Sequence, residues 1–134
     1  TYMPDTNVWI KLLNSRPTPV KGRFLSTSSL EIGLCSIVLA ELYFGAYKSS
    51  RRHENLETVN KLKSAYRIYP FDEKAANIYG RVRAELSMAG NLIGPNDLMI
   101  ASVALANDVV MITHNTRVFA RIAGLRLLDW EDSE

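Results

Sequence analysis

Cysteine occurs once, at Cys35, in a chain of 134 residues. No internal disulfide can form, and a reducing compartment, the cytoplasm, is the expected setting, where a free thiol is a small hydrophobe. No uncharged apolar run reaches the roughly 18 residues that span a bilayer. The longest candidate, Leu92 to Thr113, is interrupted by Gly94, Pro95, Asn96, Asp97, Asn107 and Asp108, so no membrane association is expected. No basic stretch followed by an apolar one opens the chain, so no secretory leader is expected. The first residue is Thr1 rather than Met, which leaves room for a few residues ahead of it. Neither sign of charge dominates: 16 Lys and Arg against 14 Asp and Glu give a formal charge of +2. That balance permits a polyanionic partner without requiring one. Repeats, low-complexity tracts and linkers are absent, so residues 1–134 are expected to form one domain.

What is present is a globular composition, 47% hydrophobic and 22% charged, in a chain long enough to bury roughly two-thirds of its unfolded surface. No structural metal is needed for folding. Tyr2 and Met3 end a short strand at Pro4-Asp5. Thr6 or Asn7 can cap a helix through Val8 to Leu13. Pro17 and Pro19 separate it from a helix carrying Val20, Phe24 and Leu25. Ile32 to Ser36 reads as a buried strand, followed by a helix from about Ile37 to Tyr47. Leu56, Val59 and Leu62 stripe the next helix, and Ile68 to Phe71 is extended. Asp72 opens a long helix that stops at Gly90. Gly94-Pro95-Asn96-Asp97 starts another helix. Val109 to Thr113 is the clearest strand, β-branched and apolar. A short helix over Thr116 to Ile122 leads to Leu125–Leu128. Strands alternating with helices imply a parallel sheet covered on both faces, a three-layer α/β/α domain.

Most of the acidic residues, including Asp129, Glu131, Asp132 and Glu134 near the end of the chain, have polar neighbours and read as solvated surface. Three do not. Asp5 directly follows the first strand. Glu41 is the only charge between Ile37 and Tyr47, and Asp97 precedes a long apolar helix in which Asp108 is the next charge. Burying an isolated carboxylate costs several kcal/mol unless it is paired, hydrogen-bonded or metal-bound. No Lys or Arg lies within three residues of any of them, which points to an external cation. Helix capping by Asp5 and a first-turn charge at Asp97 are the plain alternatives; Glu41 has no such account. In an open parallel sheet, ligands bind at the carboxyl ends of the strands, where Asp5, Glu41, Asp97 and the Thr113-His114-Asn115 segment can all converge. Oxygen donors without thiolates or paired imidazoles suit Mg²⁺ or Mn²⁺ rather than zinc.

Met3-Pro4-Asp5-Thr6-Asn7, Ser36 to Leu42 with Glu41, Ile93-Gly94-Pro95-Asn96-Asp97 to Ala101, and Met111-Ile112-Thr113-His114-Asn115-Thr116-Arg117 together resemble the motifs of the PIN-domain family. With the closing Gly124 to Trp130, the resemblance extends to the VapC-type toxins of bacterial toxin–antitoxin pairs and runs across essentially the whole chain. It implies a PIN fold and a Mg²⁺- or Mn²⁺-dependent endoribonuclease. By that resemblance Asp5 and Asp97 bind metal, Glu41 completes the catalytic acidic cluster, and Asn7, Thr113 and Asn115 orient ligands or water. It also implies a homodimer, a VapB-like antitoxin that blocks the site, and RNA substrates that often include tRNA.

Two departures stand out. The family often carries a fourth acidic residue just after the fourth strand, whereas here Asn115 offers a neutral oxygen, Val118 offers nothing, and the next carboxylate is Asp129. A weakened second metal site, or a one-metal resting state, is expected. Pro4 replaces an apolar residue before Asp5 and lacks an amide for the ladder, which is expected to loosen that strand end. Phosphate contacts require cations: Arg117, near the third strand end of the site, is the favoured RNA contact. Lys48-Ser-Ser-Arg51-Arg52-His53 is a second basic segment, and Arg121 and Arg126 lie near Arg117. His114 reads as a polar residue at a strand end, and Cys35 as core. Tyr43, Phe44 and Tyr47 suit core or dimer packing better than base stacking. A phospho-acceptor signalling domain would need an acceptor Asp at the end of a middle strand and a later Lys, where this chain has Tyr69-Pro70-Phe71 and Thr113. A PIN-like module without activity, binding RNA or a protein, is the alternative reading.

Overall fold

The computed structural model describes residues 1–14 and 16–131. Strand β1 (Tyr2–Pro4) runs parallel to β4 (Val110–Ile112), which runs parallel to β5 (Leu127–Leu128). Strands β2 (Gly33–Cys35) and β3 (Arg67–Tyr69) form a second parallel pair. A single parallel bridge, Tyr2 to Ile32, joins the two, so the strands lie in the order β3-β2-β1-β4-β5. Every pairing is parallel, and every strand therefore ends on the same edge. Asp5, Ser36, Pro70, Thr113 and Asp129 are the residues that follow the five strands.

The helices follow from patterning and caps. Helix α1 (Thr6–Leu13) is capped by Asp5 rather than by Thr6 or Asn7. Helix α2 (Pro19–Ser26) starts at a proline, whose fixed φ suits the first turn. Helices α3 (Ser36–Lys48), α4 (Arg52–Ala65) and α5 (Glu73–Met88) match the apolar stripes, and Asp72 caps α5 through Ala75 N–H at 3.0 Å. Gly90, at φ 71°, ends that segment in the left-handed conformation that only glycine adopts without strain. Helix α6 (Pro95–Asn107) begins at Gly94-Pro95, and α7 is one turn, Thr116–Phe119. The result is a small parallel sheet flanked by helices.

Met3, Leu34, Met111 and Ile112 are fully buried in the sheet, and Leu98, Ile100 and Val103 of α6 pack into the same core. Aromatic rings extend that core: Trp9 lies 5.1 Å from Phe24 and 5.0 Å from Tyr66, and Phe24 lies 5.1 Å from Trp130, ring centre to ring centre. Cys35 is buried core, as expected.

Pro4 does not loosen its strand. Thr1 C=O accepts from Val110 N–H, and Asp5 N–H donates to Ile112 C=O at 2.9 Å, so odd-numbered residues make the bonds to β4. The missing amide of Pro4 faces the β2 side, where the ladder is reduced to the one bridge.

Candidate active site

Asp5 is pinned from both sides. Its Oδ1 accepts from Val8 N–H at 3.0 Å, which is the helix cap, and its Oδ2 accepts from the Thr113 hydroxyl at 2.7 Å. Thr113 is fully buried, and its oxygen in turn accepts from Asn115 N–H at 3.0 Å. The end of β4 is thus hydrogen-bonded to the end of β1 through one threonine. Capping and site-building, treated as alternatives from the sequence, are the same geometry. Burial pushes the Asp5 carboxyl above its ordinary range. The two hydrogen bonds pull the other way, and the charges of Asp97 and Glu131 raise it further.

Glu41 lies in the second turn of α3, half-buried, and Asp97 in the first turn of α6. Burial raises both carboxyls. Glu41 also feels Asp97 and Asp5, while the adjacent Thr6 hydroxyl opposes the rise without forming a hydrogen bond of standard geometry. The fold has therefore brought three carboxylates from three elements into mutual electrostatic reach. None of the three takes part in an ion pair among the described residues. Like charges held together at partial burial are relieved by taking up a proton or by a compensating cation.

The donor set fits a hard divalent ion. All three side chains offer anionic oxygens, and each Asp5 oxygen uses only one of its two lone pairs on the bonds above. The three do not form a closed cage with every ligand oxygen within 4.8 Å of the others. An open arrangement suits an ion that retains part of its water shell, as Mg²⁺ does.

A cleft of about 590 Å³ is lined by Asp5, Asn7, Ile10, Lys11, His114, Asn115, Arg117 and Glu131. It gathers Asn7, Asn115 and Arg117, three of the sequence-level candidates, around Asp5. Arg117 is exposed and has no ion-pair partner among the described residues. Glu41 instead borders an apolar groove of about 410 Å³ between α1, α3 and α4, with Ile10, Leu13, Leu42 and Val59. Arg51, His53, Arg121 and Arg126 are not among the residues lining the Asp5 cleft. Arg51 pairs with Glu54, His53 with Glu57, Arg121 donates to Leu92 C=O, and Arg126 holds Asp108. Tyr43 donates its hydroxyl to Asn60, whereas Phe44 and Tyr47 are largely exposed.

The sequence reading missed Asp129 and Glu131, which are not solvated surface. Their side chains are 25% and 17% exposed, and Trp130 between them is 4% exposed, packed on Phe24. Asp132 and Glu134, grouped with them, lie outside the described residues. Glu131 pairs with Lys11 of α1, and His114 Nδ1 lies 3.0 Å from Asp129 Oδ2. The signal was available: Asp129 directly follows a strand, as Asp5 does.

Residues 2–125 match the PIN domain family model. The tRNA(fMet)-specific endonuclease VapC of Shigella flexneri is 36% identical over 129 residues, covering 96% of this chain and 97% of that protein. The enzyme of the same name from Salmonella typhimurium is 40% identical over 130 residues, with 96% and 97% covered. Among solved structures, a chain of the DNA-bound VapBC complex of Salmonella typhimurium superposes with a TM-score of 0.90 at 38% identity over 97% of this chain and 98% of that one. A chain of the DNA-bound VapBC2 complex of Rickettsia felis gives 0.88 at 35% identity over 96% and 98%. The family model, the relatives and the superposed structures agree: this chain belongs to the PIN-domain family, among its VapC-type ribonucleases.

Proposed function

We propose that this chain is a metal-dependent endoribonuclease, the toxin of a toxin–antitoxin pair, with residues 1–134 acting as one catalytic domain. The observation that carries the reading is the trio Asp5, Glu41 and Asp97, coupled to one another and lacking a protein cation. Mg²⁺ or Mn²⁺ is the cofactor this oxygen donor set supports. Asp5 and Asp97 are its ligands. An ion held by Asp5 and Asp97 would supply charge to neutralise a phosphodiester oxygen and would lower the pKa of water toward neutral.

The chain's own residues do the rest. Thr113 fixes the rotamer of Asp5 through the 2.7 Å bond, so the ligand is in place before any substrate arrives. Glu41, half-buried and with its carboxyl raised, accepts the proton of the attacking water. Asn7 and Asn115, on the same cleft, orient water and phosphate, and Arg117 binds a backbone phosphate of the RNA. Two relatives bear the name tRNA(fMet)-specific endonuclease, and tRNA is accordingly the substrate class to test first. The similar solved structures are VapBC complexes, so a VapB-like antitoxin is the partner. A homodimer in the cytoplasm completes the reading.

The test compares wild type with Asp97→Asn on total cellular RNA, with Mg²⁺, with Mn²⁺ and with EDTA. Discrete fragments from wild type in the presence of metal, and none from the variant or in EDTA, are expected. RNA binding without cleavage under every condition would replace the enzyme with an inactive binding module.

A further inference from the structure

His114, Asp129 and Glu131 form a cluster the acidic trio does not include, and its geometry is that of a metal-ligand set. It is the one group of three such side chains, among the described residues, whose ligand atoms all lie within 4.8 Å of one another. His114 Nδ1 is 3.0 Å from Asp129 Oδ2 and 3.7 Å from Glu131 Oε2. Donors about 2.1 Å from an ion sit about 3.0 Å apart when cis-octahedral and about 3.4 Å apart when tetrahedral. The observed separations bracket those values, so an ion enters with small side-chain adjustments.

Each carboxylate is also oriented from behind. Asp129 Oδ1 accepts Glu131 N–H at 2.9 Å, which leaves Oδ2 turned to the histidine. Glu131 Oε1 is taken by Lys11, which leaves Oε2 turned the same way. Trp130, buried between them, fixes the backbone of both. Outer hydrogen bonds that lock the non-ligating oxygen are the usual support of a metal site. They are more than an exposed ion pair requires.

We propose that His114, Asp129 and Glu131 bind a divalent transition-metal ion at a second site. An imidazole nitrogen with two carboxylates favours Mn²⁺ or Zn²⁺ over Mg²⁺. His114 and Glu131 line the cleft that Asp5 lines, so an ion held there would share the cleft proposed to take the RNA phosphates. It supplies positive charge in a cleft where Asn115 offers a neutral oxygen rather than a carboxylate. That role in catalysis rests on the nuclease reading; the binding site itself does not.

The test uses Mn²⁺ and pulsed electron paramagnetic resonance, which detects a directly bonded nitrogen-14. The acidic trio contains no nitrogen donor, and the chain has two histidines, the other being His53 on α4, paired with Glu57. Mn²⁺-loaded wild type, Asp97→Asn and His53→Gln are expected to show histidine nitrogen modulation, and His114→Gln to lack it. Glu131→Gln is expected to weaken this Mn²⁺ site about ten-fold or more. Absence of nitrogen modulation at saturating Mn²⁺, or its persistence in His114→Gln, overturns the site. Nitrogen-bound Mn²⁺ in a wild type that cuts no RNA leaves the site standing and removes the nuclease reading instead.

Discussion

Thr113→Val isolates the device that holds Asp5. The two side chains are nearly isosteric, so the fully buried position at the end of β4 stays filled and no cavity opens. Two hydrogen bonds are lost. The bond from Asn115 N–H is replaceable by water, because Asn115 is exposed. The bond to Asp5 Oδ2 is not, because both partners are buried. A buried hydrogen bond to a charged group contributes about 1.5–3 kcal/mol. For a chain of 134 residues that corresponds to a melting temperature lower by about 5–10 °C. The loss should depend on pH, since the hydroxyl favours the ionised carboxylate and works against the rise that burial imposes. Chemical denaturation in EDTA at about pH 8 should show the full difference, and at about pH 4, where Asp5 is substantially protonated in the folded protein, a smaller one. Thr113→Ser, which keeps the hydroxyl, should retain most of the pH-dependent part. Equal stability of Thr113→Val and wild type, or a difference independent of pH, would refute the claim that this bond holds a buried charge in place.

Two further outcomes follow from the same geometry. Asp5, Glu41 and Asp97 all have raised carboxyl pKa values in the folded protein. The unfolded chain therefore releases those protons first as pH rises. Metal-free stability should fall from about pH 4 upward until the folded carboxyls have ionised. Saturating Mg²⁺, which favours the ionised forms, should restore it, as read from urea midpoints with and without EDTA. Gly33→Ala places a Cβ 2.2 Å from Tyr69 Cε2 on the neighbouring strand. It should cost about 1–3 kcal/mol by overpacking and disturb the strand that leads into Glu41, and Tyr69→Leu in the same chain should recover part of the loss in thermal melts.

Sequence alone determined the alternation of strands and helices, the element boundaries to within a few residues, and the three carboxylates that local apolar surroundings made costly. Asp5, Glu41 and Asp97 were legible because each stands alone in an apolar stretch without a neighbouring cation, a property of the chain itself. Asp129 and Glu131 were passed over although Leu128 and Trp130 flank Asp129, because the partners that set them apart, His114 and Lys11, lie 15 and 120 residues away. Those contacts and the burial of Trp130 against Phe24 distinguish them from a solvated tail. The same applies to Pro4, whose missing amide matters only once the parallel register decides which edge it faces. Local composition reports what a residue costs to bury. Which groups meet across the strand ends depends on parallel pairing between segments far apart in the chain, and that was decided by the tertiary structure.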